Sequence, residues 1–226
     1  MTGMMNRSRE RSSSDHAYIE IRDKIITTVL KPGERISEKA LSEEFGISRT
    51  PIREALMRLR YDGFVDIFAQ RGTYVTPIHL EVVRAAHYTR SVLECALVRD
   101  AAAHCSENDA RELQENLEQQ RLVYRQKSQL YRIEELDEAL HQKIADIAGR
   151  PSVWQVIYHV QLHINRVRTL FLNTARVPAI IEEHERIIGA VSRHDVAAAE
   201  AAMQAHLEYM ENNIERLANE YSEYLS

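Results

Sequence analysis

The stretch Glu38–Asp62, EKALSEEFGISRTPIREALMRLRYD, decides how this chain is read. Ala40, Leu41, Phe45 and Ile47 are the apolar positions of a first helix and the turn at Gly46. Ile52, Ala55, Leu56 and Leu59 repeat at i, i+3, i+4, i+7 on a second helix. Two short helices packed across a tight turn form a helix-turn-helix. Ser48 has the side chain of an N-cap, and Pro51 falls in the first turn, where a missing N–H costs nothing. The opposite face carries Arg49, Thr50, Arg53 and Arg58, with Lys39 on the helix before. Arginine bonds a guanine edge or a phosphate, threonine bonds a phosphate or touches a thymine methyl, and a helix N-terminus favours phosphate. A solvated charged face would show the same residues, so the helix pair alone does not choose between the two.

The residues that follow favour nucleic acid. Phe64–Phe68 and Thr73–Thr76 are short β-type runs around Ala69-Gln70-Arg71-Gly72, a turn with glycine where a positive φ is expected. A two-stranded wing after a reading helix makes a winged helix-turn-helix, and Arg71 and Gly72 at its tip are placed to approach a groove or backbone. LKPGERISEKALSEEFGISRTPIREALMRLRYDGFV, followed by RGTYVTPI, resembles the winged helix of the GntR family of bacterial regulators. The resemblance implies DNA contacts from Lys39, Arg49 and Arg53, with Thr50 and Gly72 in support. The family often has arginine where this chain has Lys39, which limits that residue toward phosphate binding.

Composition agrees with a split between two jobs. The chain has 226 residues, 44% of them hydrophobic, enough for two modest cores. Up to Pro77 there are 13 Lys+Arg against 11 Asp+Glu; beyond it there are 16 against 23. The positive excess therefore sits on the N-terminal part, as a DNA reader requires. Cys95 and Cys105, ten residues apart on one expected helix, lie about 15 Å from each other, too far for a disulfide. Reduced thiols, no apolar run near the ~20 residues of a membrane span, and no signal-peptide core lead to the expectation of a cytoplasmic protein.

In order, residues 1–15 read as a disordered Ser/Arg arm, and 16–77 as the winged helix-turn-helix domain. Its first helix is expected over His16–Leu30, with Ile19, Ile21, Ile25, Ile26 and Val29 inward. Ser37 is the expected N-cap of the next helix. Residues 78–226 read as an all-α effector and dimerisation domain, with helices near 79–105, 107–127, 130–148, 151–172, 177–193 and 195–222. Asn108 or Ser106 is expected to cap the second of these, and Asp195 the last. The fold class is mainly α: a winged helix plus a helical bundle.

Within the bundle, Asp137 and His141 are i, i+4 on one helix, so about 400° of rotation brings them to one face. His184 and His206 each sit inside an apolar helical pattern, where an imidazole needs a partner. One carboxylate and three imidazoles suit zinc, nickel, cobalt, iron or manganese. With ten histidines in the chain, pocket or core histidines bonded to backbone are the plainer alternative, and spacing does not decide.

The segments Tyr88–Glu94, Asp137–His141, Glu182–Ile188 and Met203–Leu207 resemble the FCD domain, the commonest effector domain of GntR regulators. That resemblance implies a divalent transition metal, zinc foremost, on Asp137, His141, His184 and His206, and an arginine at position 90 that helps bind a small carboxylate effector. Arg150 stands where the family commonly has asparagine, and Leu140 where it has phenylalanine; neither removes a ligand. Asn165, Arg168, Arg166 and His163 are further candidates for the same cavity, with Asn165 and Arg168 preferred. Glu94, at i+4 from Arg90, can pair with it instead. The expected whole is a homodimeric, ligand-responsive regulator that represses from a double-stranded DNA operator, and not an enzyme. Two other readings are a metal-dependent hydrolase and a constitutive dimeric DNA-binding protein without effector.

Overall fold

The computed structural model describes residues 12–126, 131–171, 175–220 and 224–225. The chain divides into two compact units after Ile78, with the C-terminal residues Tyr224 and Leu225 belonging to the first.

The first unit contains α1 (Ser13–Ile26), β1 (Arg35–Ile36), α2 (Glu38–Phe45), α3 (Arg49–Tyr61), β2 (Val65–Phe68) and β3 (Gly72–Val75). Ala17, Ile21 and Ile25 of α1 are buried with Ile52, Ala55, Leu56 and Leu59 of α3, and these two helices pack together. Ser37 caps α2 by accepting from Ala40 N, and Gly46, at φ +65°, closes its C-terminus. Ser48 holds the N-cap position of α3 but makes no side-chain cap bond. Pro51 at N3 has no N–H to offer, which leaves Thr50 at N2 as the one donor within reach of the cap.

The wing is a three-stranded antiparallel sheet in the order β1-β3-β2, with Phe68 opposite Gly72 and Val65 opposite Val75. Its edge strand β1, two residues long, pairs Arg35 with Tyr74. Periodicity cannot register two residues, so β1 has no signature of its own in the sequence. Gly72 has φ +111°, and a Cβ there would stand 2.9 Å from Arg35 Nε.

Helix α1 corrects the sequence reading at both ends. Ser12 caps it by accepting from Asp15 N at 3.1 Å, so residues 13–15 are helical and not part of an arm. Residues 1–11 lie outside the described set. The helix stops at Ile26, where the β-branched run Thr27-Thr28-Val29 disfavours helix and Thr28 turns to φ +58°. Val29 is consequently 63% exposed and not inward. Ala40 is also exposed, so Leu41 is the buried residue of α2.

The second unit is all helix among the described residues: α4 (Leu80–His104), α5 (Glu107–Gln126), α6 (Tyr131–Ile147), α7 (Pro151–Phe171), α8 (Val177–Ser192) and α9 (Val196–Glu220). The long α4 is the central element, packed on α9, α7, α6 and α8. Leu97, Val98 and Ala101 of α4 meet Leu117, Leu140, Ile157, Ile187 and Met203 from the surrounding helices in one core. Ser106 caps α5 through a reciprocal pair: Asp109 N donates to Ser106 Oγ, and Ser106 N to Asp109 Oδ2. Asn108 instead donates to Glu112. Asp195 accepts from Ala198 N at the start of α9.

Candidate functional site

On the winged-helix unit, Lys39, Arg49, Thr50, Arg53 and Arg71 are exposed and Gly72 is half-buried. Arg53 Nε donates to Glu38 Oε2 at 2.8 Å, and Lys39 Nζ lies 3.7 Å from Glu43. Exposed pairs of this kind contribute about 0–1 kcal/mol, so either cation can leave its carboxylate for a phosphate at small cost. Arg58 faces another way. It donates to Asp15 and stacks over the Tyr18 ring at 4.2 Å, joining α3 to α1.

In the helical unit, α6, α8 and α9 bring Asp137, His141, His184 and His206 together, with one ligand atom of each within 4.8 Å of the others. The sequence placed these four on three helices; packing around α4 makes them one cluster. Asp137, His141 and His184 are buried, and the His206 side chain is 8% exposed. His184 Nε2 lies 3.2 Å from Asp137 Oδ1, His141 Nε2 3.8 Å and His206 Nε2 4.0 Å.

The other nitrogen of each ring is engaged elsewhere. His184 Nδ1 donates to the Gln120 side-chain carbonyl at 2.8 Å, and His206 Nδ1 to Glu183 Oε2 at 2.9 Å. Glu94 Oε2 lies against His141 Nδ1 as an ion-pair contact, with neither atom in a formed hydrogen bond. A proton on Nδ1 of each ring would turn every Nε2 lone pair toward the ionised Asp137. Asp137 Oδ1, His141 Nε2 and His184 Nε2 are all buried without a hydrogen-bond partner. Four converging electron-pair donors with no proton between them repel one another; a cation among them would reverse the sign.

The protonation states suit that role. Burial would raise the Asp137 carboxyl, but the Arg168 guanidinium beside it outweighs that and holds it well below the usual carboxylate range. Burial pushes the His184 imidazole down, and takes His206 down to about 4. Both rings are neutral near pH 7, the state in which imidazole ligates. The donor set, one oxygen and three nitrogens, fits a divalent transition metal.

A cavity of about 110 Å³ opens beside the cluster, with Asp137 and His206 in its wall. One water needs about 10–15 Å³ on the same measure, so a group of several heavy atoms fits. Three arginines line it: Arg90, Arg168 and Arg176. Each is tied to a carboxylate. Arg168 Nη1 donates to Asp137 Oδ2 at 3.1 Å, Arg90 Nε to Glu94 Oε1, and Arg176 Nη2 to both oxygens of Glu183. The two readings of Arg90 are thus compatible: it pairs with Glu94 and still lines the cavity, with Nη2 buried and unpartnered.

Asn165 departs from its expected place. Its amide donates to Glu138 at 3.2 Å, and it does not line the cavity; neither do His163 and Arg166. Three residues along α7 from Arg168 the side chain has rotated by about 60°, toward Glu138 of α6. Sequence reasoning missed Arg176, Glu134 and Tyr209 in the lining, and Gln120 and Glu183 behind the histidines. Glu183 adjoins a candidate ligand in sequence, which is a signal; Gln120 shares the buried stripe of α5 with Leu113, Leu117 and Val123, but nothing local says which group it faces.

A winged helix joined to an all-helical unit of this kind defines a DNA-binding transcriptional regulator. Residues 13–75 match the bacterial regulatory proteins of the gntR family, and residues 85–209 match the FCD domain. The chain belongs to the GntR family, with an FCD domain as its second unit. It is 33% identical over 210 residues to the HTH-type transcriptional repressor RspR of Escherichia coli, covering 92% of each chain. It is 31% identical to the HTH-type transcriptional regulator LutR of Bacillus subtilis, covering 86% of this chain and 95% of that one. Among solved structures, E. coli McbR/YncC superposes with a TM-score of 0.77 at 22% identity, over 93% of this chain and 99% of that one. RspR and LutR are named as transcriptional regulators, and the hydrolase reading falls with family membership. No helix among the described residues is long and apolar enough to cross a membrane.

Proposed function

We propose that this chain is a metal-dependent, ligand-responsive repressor that binds a two-fold symmetric DNA operator as a homodimer. The observation that supports it most is the convergence of Asp137, His141, His184 and His206, one ligand atom of each within 4.8 Å of the others, beside an arginine-lined cavity. Asp137, His141, His184 and His206 would hold the ion, with zinc first and nickel, manganese, iron or cobalt as alternatives. A divalent ion there supplies a positive centre for a carboxylate oxygen facing the cavity. Arg90, Arg168 and Arg176 give the remaining recognition of a small carboxylate, since guanidinium matches carboxylate in a fork. Arg176 replaces Asn165 in the set read from the sequence.

On the DNA side, Lys39, Arg49, Thr50, Arg53, Arg71 and Gly72 form the contact surface. Repression is proposed because RspR carries that description and because an effector that releases DNA needs only ~1–3 kcal/mol of coupling. The cytoplasm is the compartment in which such a regulator meets its operator. The test is operator binding by the metal-loaded protein, titrated with a panel of small mono- and dicarboxylates. A change in operator affinity of about 5–150-fold with one of them is expected. Unchanged affinity across the panel, with metal bound, would leave a constitutive DNA-binding protein as the better description.

A further inference from the structure

The three histidines share a feature that the ligand set alone does not require. Each has its Nδ1 set against an oxygen of an outer side chain, and each outer side chain is itself held from behind. Gln120 Nε2 donates to Asn116 Oδ1 at 2.7 Å, and Asn116 Nδ2 donates to Leu136 O at 3.0 Å on α6, next to Asp137. With its amide nitrogen so occupied, Gln120 can present only its carbonyl to His184. Gln120 is fully buried, so an unsatisfied amide flip would be costly there. Glu94 is held by Arg90, and Glu183 by Arg176, whose guanidinium stacks over the Tyr209 ring at 3.8 Å.

We propose that Gln120, Glu94 and Glu183 are positioning residues that lock His184, His141 and His206 in the Nδ1–H tautomer, leaving three Nε2 lone pairs aimed at one point. The proposal rests on the metal reading above. Two of the three, Glu94 and Glu183, also hold a cavity arginine, so the same carboxylates brace both the histidines and the arginines that face the cavity. Gln120 has no such link; it is neutral and faces the core, and its function is orientation alone. That separates it from any role in effector binding and makes it the residue to test.

The experiment has a reading that needs no metal and a reading that uses metal alone. In chelator-treated, full-length protein near pH 7, long-range proton–nitrogen NMR should show protonated Nδ1 and unprotonated Nε2 for His141, His184 and His206. Free histidine favours the opposite tautomer, so three Nε2–H rings would overturn the proposal. Titration with Co2+, followed by its visible spectrum, then compares wild type with Gln120→Leu and Gln120→Glu. Gln120→Leu removes the acceptor and is expected to weaken Co2+ binding by about 10–100-fold. Gln120→Glu restores an acceptor and should recover wild-type affinity or exceed it. Co2+ affinity in Gln120→Leu equal to wild type would overturn the proposal. If Gln120→Leu does not fold, the ring protons and the Gln120→Glu titration still decide. Wild-type protein with three Nδ1–H rings that binds no Co2+ would sink the metal reading while supporting the tautomer lock.

Discussion

At position 72 glycine is required by its φ of +111°; a Cβ there would also stand 2.9 Å from Arg35 Nε, which a flexible side chain can relieve by moving. Gly72→Ala is therefore expected to destabilise the winged-helix unit by about 1–3 kcal/mol, read by chemical denaturation. Wild-type stability in that variant would mean the wing tip relaxes freely. The exposed cations are expected to differ in kind. Arg49→Ala should cost about 1–3 kcal/mol of operator binding and blur sequence preference, while Lys39→Ala should weaken all sequences alike and reduce the salt slope by about 1. Equal loss of preference in both variants would show that Lys39 also reads bases. The legible residues were those whose chemistry is local. Asp137 and His141 share a face by spacing, and the glycine of the wing turn announces its φ. Gln120 was not legible, because its role exists only once α5 lies against α8, and Asn165 was misplaced because a 60° difference on α7 is decided by α6.

Among the elements, α1 shows how far periodicity carries and where capping takes over. Its apolar spacing located the helix, but its ends were set by Ser12 and by three β-branched residues, which shifted the span from 16–30 to Ser13–Ile26. Tyr18 is the tie between α1 and the end of α3: its hydroxyl donates to Asp62 Oδ2 at 2.7 Å. Tyr18→Phe should cost about 1 kcal/mol in the thermal or denaturant unfolding of this unit. Burial, with the adjacent Asp62, pushes the phenol up to about 12 from an ordinary 10. The folded pKa is the higher one, so the contribution is complete below about pH 10 and is lost as pH rises through about 12. Wild type should lose stability over that window more steeply than Tyr18→Phe; superimposable profiles would remove Tyr18 as the tie. Strand β1 escaped notice for a different reason, since it exists only by pairing with β3.

At the scale of the molecule, the shift of charge near Pro77 marks the place where the chain divides into its two compact units. The cavity has no such mark in the sequence, because it is made by α4, α6, α7, α8 and α9 together. Metal bound only by the folded state stabilises it by mass action, about 4 kcal/mol when free metal is 1,000-fold above its dissociation constant. Chelator treatment should accordingly lower the melting temperature of the helical unit and leave that of the winged helix unchanged. A uniform shift of both, or none, would argue against a site confined to α6, α8 and α9. The most direct measurement is the metal content of untagged protein purified without chelator, for wild type beside His184→Ala and His206→Ala, with the melting temperature of each apo variant recorded. One equivalent of a transition metal in wild type, lost in both variants while each remains folded, is the expected result. Wild type without metal, or variants that retain it in full, would contradict the assignment of Asp137, His141, His184 and His206 as the ligands.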